Sequence, residues 1–232
     1  MSQPILVAGA TGGVGQHLVG RLMAQDQNVR ALVRDMSRAE QLFSAQDRLT
    51  LVEGDTTKPI TLPSAVVGAS AVICAIAAKA PVGETSPEKI DYEGVRNLVL
   101  AARNAGVRRF ILVSALGVTH PEHPMNNFGR MLDWKRKGED VLRTSGLLYT
   151  VVRPGGLNDA PGGASGIRID QGDRISGAIS RSDVAAICAA ALDAIASYHT
   201  TFEIVAAEGK APENLPDLFA ALKTDRELDT KG

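Results

Sequence analysis

A glycine-rich turn near the start of the chain constrains the fold more than any other feature. Between an apolar run at 4–8 and an amphipathic stretch at 13–25 lies the segment GATGGVG, residues 9–15. Where a strand turns into a helix, one glycine permits the sharp exit, a second lets the backbone approach a pyrophosphate, and a third lets the helix pack on the sheet. The helix N-terminus adds free N–H groups and a partial positive charge. This placement predicts a βαβ unit that binds a dinucleotide through Gly9, Thr11, Gly12, Gly13, Val14 and Gly15.

The alternation of short apolar runs with amphipathic stretches continues along the chain. Further strands are predicted at 28–33, 49–53, 70–76, 108–114, 147–153 and 201–206, and further helices at 36–46, 62–68, 87–105, 128–145 and 181–194. Apolar strands that alternate with helices form a parallel sheet covered on both faces, with right-handed crossovers. We therefore expect an α/β fold: a doubly wound, mostly parallel sheet with helices on both faces (a Rossmann fold) in a single domain.

The length of the chain suits one domain of this kind, since 232 residues are enough for one sizeable α/β unit and few for two. We expect the dinucleotide-binding domain to span residues 1–208. Its glycine-rich part, at about 155–180, is expected to be mostly loop and to form a small substrate-site region. Residues 209–232 form a charged, proline-containing tail with room for one surface helix.

Composition and charge exclude several classes of partner. With 25 basic and 26 acidic residues the net charge is −1, and aromatic residues make up 4%, so neither nucleic acid nor an anionic membrane is an expected partner. The N-terminal residues lack the features of a signal peptide, and no apolar stretch reaches the ~18 residues of a membrane span. A cytoplasmic protein is expected. Cys74 and Cys188 lie in apolar runs typical of reduced core thiols, and the four scattered histidines suggest no metal site.

The end of the second predicted strand bears on which dinucleotide is bound. An acidic residue at this place commonly bonds the adenosine ribose of NAD, whereas an arginine suits the 2′-phosphate of NADP. The sequence there is Leu32-Val33-Arg34-Asp35, with Arg38 one helical turn later. Arg34 and Arg38 favour NADP(H). Asp35 leaves NAD(H) possible, if the strand ends one residue later.

Several segments together resemble a known family. GATGGVG, LVRD, VEGDTTKP, IDYEGVRNLVLAARNAGVRRFILVSALG, WKRKGEDVLRTSGLLYTVVRPGGL and ISRSDVA follow one another between residues 4 and 206. In this order they are similar to the atypical short-chain dehydrogenase/reductases, in the NAD(P)-binding branch that includes NmrA-like and biliverdin-reductase-B/flavin-reductase-like proteins. The order of the motifs is more specific than any one of them.

The resemblance implies roles for residues that follow the predicted strands. Asp55 and Thr56 would contact the adenine ring. The family's active-site serine corresponds to Ser114, and the lysine of its Tyr-x-x-x-Lys motif to Lys135, which would also bind the nicotinamide ribose. The cofactor ribose would lie against Ala75, Ile76 and Ala77, and the nicotinamide beside Pro154, Gly155 and Gly156.

One position departs from the family pattern. Four residues before Lys135, where the family carries a tyrosine, this sequence has Met131. A neighbouring ammonium lowers the pKa of the phenol, so that it can exchange a proton with a carbonyl; a thioether cannot do this. Another group would then supply the proton, or the substrate would need no such acid, or the protein would bind NADP(H) without turnover. The side chains nearest in sequence that could supply a proton are His120, His123, Tyr92 and Asp133.

These expectations combine into one hypothesis and two rivals. The hypothesis is an NADPH-dependent oxidoreductase that delivers hydride to a small conjugated acceptor of the flavin, quinone or bilin type, in which Met131 would be an apolar wall for a flat ligand. The first rival is a non-catalytic NADP(H)-binding sensor or scaffold. The second, an NAD-dependent epimerase or dehydratase, is disfavoured because little chain follows Gly156 to form a sugar-nucleotide domain. We expect a small-molecule substrate and a monomer or homodimer.

Overall fold

The structure is a computed structural model that describes residues 3–43 and 46–230. Its main sheet, within these residues, has eight strands in the order β3-β2-β1-β4-β5-β6-β10-β8, and β7 pairs with β9 in a separate small sheet. The strands are β1 (Ile5–Ala8), β2 (Val29–Val33), β3 (Leu49–Glu53), β4 (Ala71–Cys74), β5 (Arg109–Val113), β6 (Leu148–Pro154), β7 (Gly156–Asn158), β8 (Gly166–Asp170), β9 (Ala178–Ser180) and β10 (Thr200–Ala207).

Helices cover both faces of the main sheet. They are α1 (Gly13–Ala24), α2 (Met36–Leu42), α3 (Pro63–Val66), α4 (Val95–Asn104), α5 (Met131–Arg143), α6 (Arg181–Ala191) and α7 (Asp225–Asp229). A wider, π-type helix, Glu88–Gly94, leads directly into α4, so the long helix predicted at 87–105 is two joined helices. It ends at Gly106, whose φ of +75° is the left-handed conformation expected of a helix stop.

The sheet is doubly wound, as the sequence predicts. Every pairing in the main sheet is parallel except that of β10 with β8, and the chain changes direction across the sheet between β1 and β4. Ligands of such sheets bind at the carboxyl ends of the strands on either side of this switch point. The predicted fold class is confirmed.

Two hydrophobic cores lie on opposite faces of the sheet because adjacent strand residues point to opposite sides. On one face Val7 and Ile73 pack with residues of α1 and α6, and on the other Leu6 and Val72 pack with residues of α4 and α5. Phe219, which lies in the segment expected to be a surface tail, is fully buried in the first of these cores. The end of the described chain is therefore part of the packed structure.

Polar contacts fasten the tail as well. The carboxylate of Asp225 accepts hydrogen bonds from the backbone N–H of Thr201 at 2.7 Å, from the Thr201 hydroxyl at 2.7 Å and from the Tyr149 hydroxyl at 2.9 Å. Arg143 adds an ion pair to the same carboxylate at 3.2 Å. These contacts join α7 to the amino end of β10, and we name them the Asp225 clasp.

Some element boundaries differ from those predicted. The helix predicted at 36–46 ends at Leu42; residues 44 and 45 of that prediction lie outside the described residues. The N-cap of this helix is Asp35, whose backbone is extended and whose side chain accepts a hydrogen bond from the Arg38 N–H. The glycine-rich segment expected to be mostly loop contains β7, β8 and β9.

Two further properties concern cysteines and membranes. Both cysteine side chains are buried, and burial raises the pKa of each thiol, Cys74 and Cys188, to about 12. Within the residues that the structure describes, no helix combines the length and the apolar character needed to cross a membrane.

Candidate functional site

A cavity of about 320 Å³ opens at the switch point of the sheet. It lies where β1, β2 and β4 end, and its walls include residues of the glycine-rich turn. Of the predicted cofactor-binding residues, those that line it are Gly9, Thr11, Gly12, Gly13, Val14, Arg34, Thr56, Ala75, Ile76 and Ala77. The cavity therefore brings residues distant in sequence together around a single space.

Close backbone contacts explain why the turn is rich in glycine. Gly9 has a φ of +81°, and a Cβ atom there would lie 2.6 Å from the carbonyl oxygen of Ala75. A Cβ atom on Gly15 would overlap the carbonyl oxygen of Gly9, so the start of α1 can lie against the turn only without a side chain. Gly12 is exposed beside the cavity, and a Cβ atom there would approach just one backbone oxygen, at 3.1 Å.

The N-terminus of α1 faces this cavity without a side-chain cap. Gly12 is the N-cap residue, and no side chain accepts from the first N–H groups of the helix. Gln16 directs its amide instead to the Thr11 carbonyl at 3.2 Å. Uncapped N–H groups and the helix dipole together favour an anion at this place.

The charged residues around the cavity are all cationic. Among the residues that the structure describes, Arg34, Lys79 and Arg181 line it, and no aspartate or glutamate does. The carboxylate of Asp35, which kept NAD(H) open in the sequence, accepts the Arg38 N–H at 2.9 Å as the cap of α2. Arg38 itself is exposed and lies outside the lining. The electrostatics of the cavity suit a ligand with several negative charges.

The two residues predicted to contact adenine differ in their surroundings. Thr56 is buried at the cavity, and its carbonyl oxygen accepts from the Asn97 side chain at 2.9 Å. Asp55 directs its carboxylate to the backbone N–H and the hydroxyl of Thr57, both at 2.9 Å, and does not line the cavity. Its role in the structure is to shape the turn after β3.

Ser114 lies away from the cavity lining and is engaged in a buried bond. Its hydroxyl donates to the Glu139 carboxylate at 2.5 Å, and both side chains are buried. Arg153 donates to the two oxygens of Glu139 at 3.0 and 2.7 Å, and Arg143 donates to it at 2.8 Å. Ser114 thus belongs to a network of buried charges between α5 and β6.

That network has a second carboxylate. Glu203, on β10, accepts from Arg153 at 3.0 Å through one oxygen, while its Oε2 atom is buried without a hydrogen-bond partner. Burial raises the pKa of Glu203. Burial also acts to raise the pKa of Glu139, but hydrogen bonds and charge from Arg153 and Arg143 outweigh it and lower that pKa. We name Glu139, Arg143, Arg153 and Glu203 the Arg153 network.

Lys135 forms a buried ion pair beside the cavity. Its ammonium lies 2.7 Å from the Asp91 carboxylate, with 9% and 1% of the two side chains exposed. The other oxygen of Asp91 accepts from the backbone N–H of Ala78, a lining residue, at 3.4 Å. Lys135 therefore supports the wall of the cavity through Asp91 and does not line it.

The other side chains considered as proton donors are mostly engaged. Tyr92 stacks on Trp134, with ring centroids 5.7 Å apart, and Asp133 pairs with Arg130 at 2.6 Å. His120 bonds the backbone oxygen of Asp173 at 2.9 Å. A Cβ atom on Gly117 would contact the His123 ring at 3.0 Å, so that ring covers Gly117. Met131 is the first residue of α5 and is partly buried.

The predicted nicotinamide residues lie where β6 continues into β7. Pro154 ends β6, and a Cβ atom on Gly155 would overlap the carbonyl oxygen of Gly177, so the two segments approach closely there. Gly156 begins β7, whose middle residue, Leu157, lines the cavity with 40% of its surface exposed. Pro154, Gly155 and Gly156 themselves are not among the residues that line the cavity.

Comparison with protein families decides what binds at this fold. A family model described as NAD(P)H-binding matches residues 9–194. The chain belongs to this NAD(P)H-binding family. The expected resemblance and the binding of a nicotinamide dinucleotide are thereby confirmed.

Individual relatives of this NAD(P)H-binding protein include plant proteins and a bacterial reductase. An uncharacterized chloroplastic protein of Arabidopsis thaliana is 34% identical over 96% of this chain and 83% of its own. Sanguinarine reductase of Eschscholzia californica is 28% identical over 95% of this chain and 96% of its own. The solved structure of ChuY, an anaerobilin reductase of Escherichia coli, has a TM-score of 0.74 and 28% identity, covering 89% of this chain and 98% of that one.

Of the described residues that line the cavity in this NAD(P)H-binding domain, the sequence analysis did not predict nine, among them Lys79, Leu157 and Arg181. Lys79 lies in a loop with no distinctive motif, and Leu157 ends a family segment that gave it no role, so only the tertiary structure places them at the cavity. Arg181 is the first residue of α6, and the N-cap of this helix, Ser180, accepts the Asp183 N–H at 3.0 Å. The sequence analysis quotes the segment ISRSDVA, which contains Arg181, but gives this arginine no role. Among the described residues, no three His, Cys, Asp or Glu side chains lie together so that they could hold a metal ion.

Proposed function

We propose that this protein is an NADPH-dependent reductase that delivers hydride to a small conjugated acceptor of the flavin, quinone or bilin type. The observation that carries the cofactor preference is the charge of the cavity, where three cations and no carboxylate line the space beside an uncapped helix N-terminus. NADPH brings a 2′-phosphate in addition to the pyrophosphate of NADH. A cavity with cations alone favours the ligand with more negative charge.

In this proposal, different residues of the site bind different parts of the dinucleotide. The N–H groups of Gly13 and Val14, in the uncapped first turn of α1, hold the pyrophosphate, while the Gly12 N–H donates to the Gly9 carbonyl at 2.9 Å and fixes the turn. Arg34, exposed at the end of β2, binds the 2′-phosphate with its planar fork of donors. The lining residues Ala75, Ile76 and Ala77 hold ribose, and Pro154, Gly155 and Gly156 hold the nicotinamide. The bound cofactor supplies the hydride.

Apolar side chains near the cavity support a flat, conjugated acceptor. Leu157 lines the cavity, and the segment between β5 and α5 exposes Met125 and Phe128 by 41% and 37%. This segment contacts the loop that follows β4, part of which lines the cavity, since a Cβ atom on Gly129 would overlap the carbonyl oxygen of Pro81. Large exposed apolar side chains around a concave site are typical of apolar ligands.

The same acceptor class removes the need for an acid at Met131. The Ser114 hydroxyl donates a hydrogen bond to Glu139, the Lys135 ammonium pairs with Asp91, and neither residue lines the cavity. A conjugated acceptor spreads the negative charge it gains and can be protonated by water. The chain then contributes orientation and a shielded pocket. Two relatives named as reductases, sanguinarine reductase and anaerobilin reductase, support this reading.

A titration followed by an acceptor panel tests the proposal. We expect calorimetry to show micromolar binding of NADPH and NADP⁺, about −8 kcal/mol, with weaker binding of NADH and NAD⁺. NADPH oxidation, followed at 340 nm, should then depend on a flavin, quinone or bilin in the panel. Tight NADPH binding without turnover of any acceptor would favour the rival, a non-catalytic sensor or scaffold.

The variant Gly12→Asp tests the location of the cofactor. It puts a carboxylate beside the pyrophosphate position, and we expect binding of all four dinucleotides to fall by more than a hundredfold. Gly20→Asp is the matched control, because a Cβ atom on this exposed residue of α1 meets nothing within 4 Å. Unchanged affinity in Gly12→Asp would refute the assignment of the cavity.

The compartment and the oligomeric state stay predictions. We propose a cytoplasmic location, although the Arabidopsis relative is named as chloroplastic. We also propose a monomer or homodimer acting on a small molecule.

A further inference from the structure

The side chain of Arg181 lies directly on the glycine-rich turn. A Cβ atom on Gly13 would be 2.6 Å from Cδ and 2.8 Å from Nε of Arg181, so the arginine occupies the space that a larger residue would fill. Arg181 also lines the cavity together with Gly12 and Gly13. Its cationic group therefore lies beside the N–H groups that the previous section assigns to the pyrophosphate.

Its present partner is a solvent-exposed carboxylate. The Arg181 guanidinium donates to Asp159 at 2.8 Å, and 28% of the arginine side chain is exposed against 84% of the aspartate. An ion pair with so exposed a partner contributes little to stability, because water solvates the carboxylate almost equally well without it. A guanidinium has five N–H donors and pairs more strongly with a phosphate that accepts two of them.

The backbone at both ends of this pair is well fixed. Asn158 and Ser180 are partners in the pairing of β7 with β9, so Asp159 and Arg181 follow neighbouring positions in adjacent strands. Ser180 caps α6, and Asp183, in the first turn of that helix, accepts the Gly163 N–H at 2.8 Å. The first and last residues of the loop 159–163 are therefore bonded to the first turn of α6, Asp159 through Arg181 and Gly163 through Asp183.

We propose that Arg181 is a cofactor-binding residue that takes an oxygen of the pyrophosphate, and that Asp159 competes with the pyrophosphate for it. The inference rests on the placement of the dinucleotide proposed above, and it is independent of the acceptor. It also gives Gly13 a second reason to be glycine, since a side chain there would push Arg181 off the turn. Arg181 and Arg34 then serve two different phosphate groups at two ends of the cavity.

Because Arg181 and Arg34 bind different phosphate groups, substituting them should have different effects on the affinities for NAD⁺ and NADP⁺. The pyrophosphate is common to NAD⁺ and NADP⁺, so Arg181→Met should weaken both by the same factor, at least tenfold in Kd. Arg34→Ala should weaken NADP⁺ and leave NAD⁺ nearly unchanged. Asp159→Asn removes the competing charge and should tighten both dinucleotides severalfold.

Calorimetric titration of the full chain with NADP⁺ and NAD⁺ is the test. Arg181→Lys keeps the charge without the fork and should lose less affinity than Arg181→Met. Arg174→Met is the control, because Arg174 forms a comparable exposed pair with Asp170, at 2.6 Å, outside the cavity lining. Thermal unfolding shows that each variant is folded, and the lysine variant keeps the test decisive if the methionine variant is not.

The outcomes separate the inference from the proposed function. Wild-type affinity in both Arg181 variants would overturn the role of Arg181, and weaker binding by Asp159→Asn would overturn the competition. If the wild type binds neither dinucleotide, or if Gly12→Asp binds normally, the placement of the cofactor is refuted and the inference with it. A loss confined to NADP⁺ in Arg181→Met would assign Arg181 to the 2′-phosphate instead and overturn the inference.

Discussion

Replacing Arg153 by methionine removes the centre of the Arg153 network while keeping an unbranched apolar stem. Arg153 is 6% exposed and forms three hydrogen bonds to two carboxylates, Glu139 and Glu203, that are both fully buried. After the change, Glu139 keeps Arg143 and the Ser114 hydroxyl. Glu203 loses its hydrogen bond and ion pair with Arg153. One buried negative charge is then left without a cation.

The expected cost follows from that unpaired charge. Removing one partner of a buried ion pair costs about 3–5 kcal/mol. For a chain of this size, each kcal/mol lowers the melting temperature by roughly 2–4 °C. Arg153→Met should therefore melt about 6–20 °C below the wild type at pH 7, measured by calorimetry or circular dichroism. Urea unfolding should give the same loss of free energy.

The matched control is Arg174→Met, which breaks an ion pair of similar length whose arginine side chain is 70% exposed. We expect less than about 1 kcal/mol there. Adding Glu139→Gln and Glu203→Gln to Arg153→Met should recover much of the loss, because no buried carboxylate is then left without a cation. A loss below about 1 kcal/mol in Arg153→Met alone would refute the view that these carboxylates are ionised and depend on Arg153.

Two further predictions concern the cofactor preference and pH. Arg34→Ala should raise the Kd of NADP⁺ about tenfold or more, which corresponds to the ~1.5 kcal/mol of a charge-assisted pair at an exposed site. An equal loss of affinity for NAD⁺ in calorimetry would show that Arg34 does not bind the 2′-phosphate. Asp173 is buried, which acts to raise its pKa, but N–H donors from Gly117 and Thr119 outweigh burial and lower the pKa. A lowered folded-state pKa stabilises the fold above the unfolded value of about 3.9 and loses this effect as the pH falls through the folded value. Asp173→Asn, which tolerates the left-handed backbone there, should therefore melt below the wild type at pH 7, and this deficit should shrink as the pH falls below about 4. A deficit that does not shrink with falling pH in a melting series would contradict this.

Features set by local sequence were predicted well. The turn at Gly9 and Gly12 and the strand at Leu49–Glu53 follow from residues close together in the chain, since glycine and apolar patterns have strong local effects. The cavity at the switch point then follows from general rules for parallel sheets. The short strand pair β7–β9 did not follow, because its glycine-rich sequence has no strand periodicity.

The candidate site was predictable where it depends on backbone and unpredictable where it depends on side-chain partners. The family pattern suggests that Ser114 and Lys135 face the ligand, whereas in the structure they are bonded to Glu139 and Asp91. Those partners come from distant segments, 25 and 44 residues away. Arg181 was overlooked for the same reason, since its proximity to Gly13 arises only when α6 packs against α1.

The Asp225 clasp has a consequence for building fusion proteins. It holds the end of the described chain at Thr201, the second residue of β10, where the amino ends of the parallel strands meet. The cavity is at their carboxyl ends, about one strand length away, or roughly 16 Å for five residues. A reporter domain joined after α7 would therefore lie at the opposite end of the strands from the dinucleotide. Such a fusion should leave cofactor access open, which suits this chain to use as a recognition module in a redox-cofactor biosensor.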